Sequence, residues 1–205
     1  MSLSLWLAFV VAAAVIAITP GPGSILVLAT GLRYRYSVVF RALLGLELAL
    51  LVHLCIVALG LGALLAASST AFLVMKIIGA VYLVWLGIQK WRATVEPIDT
   101  SQFHIVANRQ LFRQGLLVNL TNPKAVIFIA ALVPQFINAN APQLPQYLII
   151  GATMVGVDVV IMTAYALLAG RFRNWFQDTR MLRLQNRVFG GMFVSAGALL
   201  AVSSR

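Results

Sequence analysis

Acidic side chains are nearly missing from this sequence: 5 Asp and Glu stand against 15 Lys and Arg in 205 residues. Charged residues of both signs make up 10%, where a soluble domain carries about 25%. Cysteine occurs once, at Cys55, which excludes an intramolecular disulfide and a two-cysteine redox relay. The opening Met1-Ser2-Leu3-Ser4 has no Lys or Arg. It therefore lacks the basic start of a cleaved secretory signal, and the first apolar run is expected to be retained. Also missing are the two-residue alternation of barrel strands and the polar face of a water-soluble bundle. What fills the chain is apolar, 61% of residues with a mean hydropathy of +0.96. A domain of this size buries about 70% of its unfolded surface in water, too little to hide so much Leu, Val, Ile and Ala. A soluble globular domain and a disordered chain are both excluded. Lipid must be the solvent.

A helix crosses a hydrocarbon core of about 30 Å with about 20 residues. Six segments qualify: 5–31, 38–66, 69–90, 112–137, 147–170 and 184–202. The expected fold is therefore an all-α polytopic membrane protein with six transmembrane helices. The net charge of +10 does not point to nucleic acid, because the basic residues sit between apolar runs. Connector one holds Arg33, Arg35 and Arg41. Connector three holds Lys90, Arg92, Arg109 and Arg113. Connector five holds Arg171, Arg173, Arg180, Arg183 and Arg187, whereas connectors 67–68 and 138–146 hold no Lys or Arg. Cytoplasmic loops carry the excess of basic residues. Connectors one, three and five are thus expected in the cytoplasm of a bacterial inner membrane, with both termini periplasmic. Trp6, Trp85, Trp91 and Trp175 fall near span ends, as interfacial anchors do. The stripe Phe172, Trp175, Phe176 between arginines is expected to lie flat at the interface.

The few polar residues inside the spans recur at one offset. Glu47 and Asp158 are 111 apart, as are Lys76 and Arg187, Gly79 and Gly190, and Tyr82 and Phe193. Two prolines, Pro20 and Pro123, interrupt spans one and four. We read one transporter domain over 1–205, made of half-repeats 1–95 and 110–205 joined by a cytoplasmic connector, 92–111. Three spans per half is an odd number, so the halves run in opposite senses. Inverted repeats with paired interruptions point to a secondary transporter.

The first interruption is Thr19-Pro20-Gly21-Pro22-Gly23; the second is Asn122-Pro123-Lys124, with Asn119 one turn earlier. Proline removes a backbone donor and collides with the carbonyl four residues before it, so a run of two prolines and two glycines should stop a helix. Thr19 and Asn122 suit an N-cap, and Pro20 and Pro123 suit the first helical position. Each break would begin a half-helix whose free amides carry partial positive charge near mid-membrane, a site for an anion such as an amino-acid carboxylate. Substrate contacts are accordingly expected from Thr19, Pro20, Gly21, Pro22, Gly23, Asn119, Asn122, Pro123 and Lys124. Lys124 lies too deep to snorkel fully and needs a partner: Asp158, Glu47 or a substrate carboxylate, a fixed Lys124–Asp158 ion pair being the plain structural alternative. Intramembrane acids are functional by default, and low dielectric disfavours the charged form of a carboxylate. Asp158, and less strongly Glu47, are expected to load and release protons. His53 does not share a helical face with Glu47 and reads as a hydrogen-bonded interior histidine; His104 reads as solvated.

The run Thr19-Pro20-Gly21-Pro22-Gly23, the stretch Tyr82-Leu83-Val84-Trp85-Leu86-Gly87, and Asn119-Leu120-Thr121-Asn122-Pro123-Lys124-Ala125 followed by Pro134-Gln135-Phe136 resemble the LysE/RhtB family of bacterial amino-acid exporters, almost end to end. The resemblance implies inner-membrane efflux of homoserine, its lactone or related small amino acids such as threonine, by proton antiport and without a cofactor. One departure stands out: Glu47 occupies a place in span two where a neutral residue is expected. The alternative class is a cation or metal-ion exporter on the same six-helix plan. It would need clustered ligands, and the spans offer only Glu47, Asp158, His53 and Cys55. An intramembrane enzyme lacks any legible set of catalytic residues. Partners are thus a small amino acid, protons and the bilayer; whether copies form a homo-oligomer is left open.

Overall fold

With no water to satisfy them, the backbone groups of long apolar runs must bond to one another. The chain accordingly forms helices throughout. The computed structural model describes residues 2–94 and 105–203; His104 and the middle of the connector 92–111 lie outside the described residues. Helices α1 (Leu3–Ile18), α2 (Pro22–Gly31), α3 (Tyr36–Ala67) and α4 (Ser69–Arg92) make the first half. A 3₁₀ turn (Asn108–Gln110), α5 (Leu111–Leu120), α6 (Pro123–Phe136), α7 (Gln143–Leu167), α8 (Ala169–Gln177) and α9 (Thr179–Ser203) make the second. No strand occurs among the described residues.

Helices α3, α4 and α7 are each long and apolar enough to cross a membrane. Helices α1 and α2 qualify together, as do 108–120 and α6, each pair being bent, by 61° and 56°. That makes three candidate spans, or five with each bent pair as one crossing. Helix α9 occupies the sixth expected segment. Both expected breaks are therefore present. The outward faces carry large apolar side chains: Ile56, Leu59, Ile78, Val81, Leu148 and Val160 are each more than 60% exposed. Patches of that kind are rare on proteins dissolved in water and ordinary against acyl chains.

At three of the boundaries that differ from expectation, a polar side chain bonds to backbone beside the helix end. Ser68 alone separates α3 from α4, its hydroxyl accepting from the amide of Ala71 at 3.2 Å. Helix α7 starts at Gln143, because the Gln146 side chain folds back to bond both the amide and carbonyl of Asn138, at 2.8 and 3.0 Å. Helix α9 starts at Thr179, five residues early, with the Asp178 carboxylate accepting from Arg180 N at 2.8 Å. Span five ends at Leu167 and gives way to the separate short helix α8, whose Phe172 ring meets Tyr165 edge-on at 4.5 Å.

Helix α3 packs on α5, α4 on α9, and α7 on α1, α2 and α3. Glycines set the two closest approaches. A Cβ built on Gly115 would lie 2.1 Å from the Ala42 carbonyl oxygen, and one on Gly45 2.1 Å from that of Phe112. Gly87 and Gly190 face each other across α4 and α9 in the same way, at 2.6 Å. One apolar core joins Phe9, Leu50, Leu54, Phe128 and Met154; a second joins Leu28, Leu43, Leu46, Met162 and Tyr165. The two breaks lie between them.

Candidate functional site

Helix α1 ends at Ile18. Thr19 is extended (φ −66°, ψ 125°) and serves as its C-cap, the hydroxyl donating to the Val15 carbonyl at 2.7 Å. This corrects the expectation that Thr19 caps the next helix with Pro20 as its first residue. The reason is the second proline: a residue before proline is pushed out of the helical region, so Gly21 is extended (φ −165°, ψ 177°) and α2 begins at Pro22. The Ser24 hydroxyl accepts from Gly21 N and donates to Gly21 O, both at 2.9 Å, which closes the start of α2. The second break follows expectation. Asn122 is the N-cap, its side-chain oxygen accepting from Lys124 N at 3.0 Å, and Pro123 is the first helical residue.

The carbonyls at the end of α1 need donors. A helix C-terminus carries partial negative charge and favours a cation, and Lys124 supplies it. Its Nζ donates to Ile16 O at 2.7 Å and Thr19 O at 2.5 Å. The Ile18 carbonyl accepts from the Tyr165 hydroxyl at 2.5 Å and from Gln185 Nε2 at 3.0 Å. Donors from α6, α7 and α9 thus satisfy one unwound end. The partners expected for Lys124 were carboxylates; in the structure its ammonium sits on this helix end, and the fixed ion pair with Asp158 is replaced by these two bonds. On the other break, His53 Nε2 lies 3.3 Å from the Leu120 carbonyl, and Asn119 Nδ2 donates to Leu46 O at 2.8 Å. His53 is the interior, hydrogen-bonded histidine that the spacing indicates.

The breaks touch. A Cβ on Gly21 would lie 3.4 Å from Lys124 Cδ, across 103 residues of sequence. Between them is a cavity of about 70 Å³, where one water needs roughly 10–15 Å³. Its polar wall includes Thr19, Gly21, Gly23 and Ser24 from the first break, Asn119, Asn122 and Lys124 from the second, and Asp158 from α7. Leu46, Leu50, Phe128, Met154 and Met162 complete it with apolar surface. Pro20, Pro22 and Pro123 are not on the wall; they shape the breaks rather than face the space. Glu47 also stands off the wall. It is buried on α3, with its carboxyl facing that of Asp158.

Residue-by-residue reading passed over Ser24, Tyr165 and Gln185. The usable signal was the obligation of every carbonyl at a broken end to find a donor, which calls for polar side chains on the facing spans. Among the described residues no three of His, Cys, Asp and Glu gather closely enough to hold a metal ion.

Comparison with known proteins gives the family of the chain. The family model described as LysE type translocator matches residues 14–204. The homoserine/homoserine lactone efflux protein of Salmonella typhimurium is 40% identical over 205 residues, covering 98% of each chain. A Vibrio cholerae protein described as an uncharacterized membrane protein is 39% identical over 203 residues, 99% of each chain. The leucine efflux protein of Enterobacter sp. is 27% identical over 202 residues, 97% of this chain and 95% of its own. No solved structure matches.

Proposed function

The chain belongs to the LysE family of translocators, and on that premise we propose that it exports homoserine, its lactone and related small amino acids such as threonine across the bacterial inner membrane in exchange for protons. The observation that carries this reading is the cavity where the two broken helices meet, with Lys124 and Asp158 on one wall. A zwitterion needs a positive and a negative partner. The opening amides of α2 and α6, with Lys124, suit its carboxylate; Asp158 suits its ammonium. Homoserine lactone has the ammonium and lacks the free carboxylate, so an exporter of both must rely on the ammonium contact. That assigns Asp158 the central role in recognition, with Thr19, Gly21, Gly23, Asn119 and Asn122 shaping the rest.

The same reading treats 1–205 as one transporter domain of two inverted halves, 1–95 and 110–205, rocking about the cavity. Exchange of the halves turns the α1–α7 contact into the α5–α3 contact and the α2–α7 contact into the α6–α3 contact, and all four occur. The basic connectors support a periplasmic position for both termini. One charge moving through 100 mV supplies about 2.3 kcal/mol, enough for a roughly fifty-fold gradient at about 1.4 kcal/mol per decade.

The test is growth and efflux. Cells overexpressing the protein should tolerate external homoserine and expel the labelled compound, and Asp158→Asn should abolish both while still reaching the membrane. If cells with verified membrane expression gain no protection and expel no label, this substrate assignment is wrong.

A further inference from the structure

Glu47 is 6% exposed, and neither of its side-chain oxygens has a hydrogen-bond donor. The polar group they face within hydrogen-bonding reach is the Asp158 carboxyl. Ionised carboxylates only accept. Contact between the two is therefore a hydrogen bond only when a proton lies between them, and two like charges so close do not both persist in a low dielectric. Among the described residues no cation is an ion-pair partner of Glu47. Lys124, from α6, acts electrostatically on Asp158, but its ammonium is held by the carbonyls of Ile16 and Thr19. Lys90 of α4 bears on Lys124. Tyr165, on α7 with Asp158, directs its hydroxyl to Ile18 O. Asp158 reaches the cavity wall, whereas Glu47 stands behind it.

We propose that Glu47 and Asp158 form a single proton-binding unit, holding one shared proton when the cavity is empty and releasing it when an ammonium group enters. The proton-sharing half stands on the burial of Glu47, its two unpartnered oxygens and the neighbouring Asp158 carboxyl; the exchange half rests on the export reading above. The balance is simple. Two carboxylates with one proton carry a net charge of minus one; the same carboxylates with the proton gone and one ammonium bound to Asp158 carry minus one again. The net charge buried at the pair is the same in both states, and one proton is exchanged per amine. Because the acids come from α3 and α7, the proton also ties the first half of the chain to the second.

Infrared spectroscopy of the purified protein in lipid nanodiscs reads this directly, since only 5 acidic residues contribute. At neutral pH the wild type should show the C=O band of a protonated carboxyl. Glu47→Gln should lose it, because Asp158 then keeps Lys124 as neighbour without a competing acid, and Glu47→Asp should retain it as a folded control. Saturating homoserine should bleach the wild-type band and release about one proton per bound ligand into dilute buffer. A wild type without the band, or a Glu47→Gln protein that keeps it unchanged, overturns the shared proton. A band that survives saturation by bound homoserine overturns the exchange. Cellular efflux, which does not depend on the band, decides the export reading separately.

Discussion

Lys124 is a charge in an oily span whose partner is a helix end, not an acid. Its amine serves the carbonyls of Ile16 and Thr19 while its stem lies on the cavity wall. Lys124→Met leaves those acceptors without a donor, and a buried acceptor left bare costs about 1–3 kcal/mol. The thermal unfolding midpoint of the purified variant should fall, and labelled efflux should drop by about tenfold or more, near 1.4 kcal/mol of lost stabilisation. Efflux within twofold of wild type would remove Lys124 from the binding step. The charged and proline-rich members of the site were legible because lipid makes them costly: Asp158, Lys124 and Asn122 announce themselves against Leu and Val. Tyr165 and Gln185 do not. A tyrosine and a glutamine near span ends look ordinary until the position of the Ile18 carbonyl is known. Thr19 was legible as a cap but at the wrong end, since the same residue type serves α1 once Pro22 forces Gly21 out of the helix.

Helix positions followed from apolar run length, because a bilayer core sets how long a crossing must be. Helix ends did not, because Gln146 and Asp178 cap through contacts that run length ignores. Crossing geometry was equally hidden: nothing in the sequence pattern singles out Gly45 and Gly115, yet they let α3 and α5 meet backbone to backbone. A methyl on Gly115 would sit 2.1 Å from the Ala42 carbonyl oxygen, whereas one on Gly60 of α3 meets nothing within 4 Å. Gly115→Ala should therefore lower stability by about 1–3 kcal/mol through overpacking, while Gly60→Ala should be neutral or stabilising by up to about 1 kcal/mol, as alanine is favoured inside helices. Thermal unfolding of the two variants side by side checks the contrast. Equal midpoints would mean that the α3–α5 approach is looser than the coordinates have it.

Along the chain, basic connectors alternate with uncharged ones, and the proposed orientation puts the basic ones in the cytoplasm. Cys55 is the single thiol and is exposed on α3, so a Cys55→Ser background gives a clean topology assay. Asn140→Cys, in the connector between α6 and α7, should react with a membrane-impermeant thiol reagent in intact cells; Arg109→Cys should react only after permeabilisation. The reverse pattern would invert the orientation. The proposed two-half design rests on the matched acids and prolines, whereas the meeting of both breaks at one cavity could not be read from them, since no spacing along the chain says that Gly21 rests on Lys124. That meeting place, with Asp158 on its wall as the acid proposed to exchange protons, is what transport would depend on. The sharpest check is flux of labelled homoserine into liposomes holding only this protein, with the interior made acid and the membrane potential clamped. The outward proton flow should drive homoserine above its external concentration in the wild type and not in Asp158→Asn. Equal accumulation with and without the pH gradient, or an Asp158→Asn protein that matches the wild type, would contradict it.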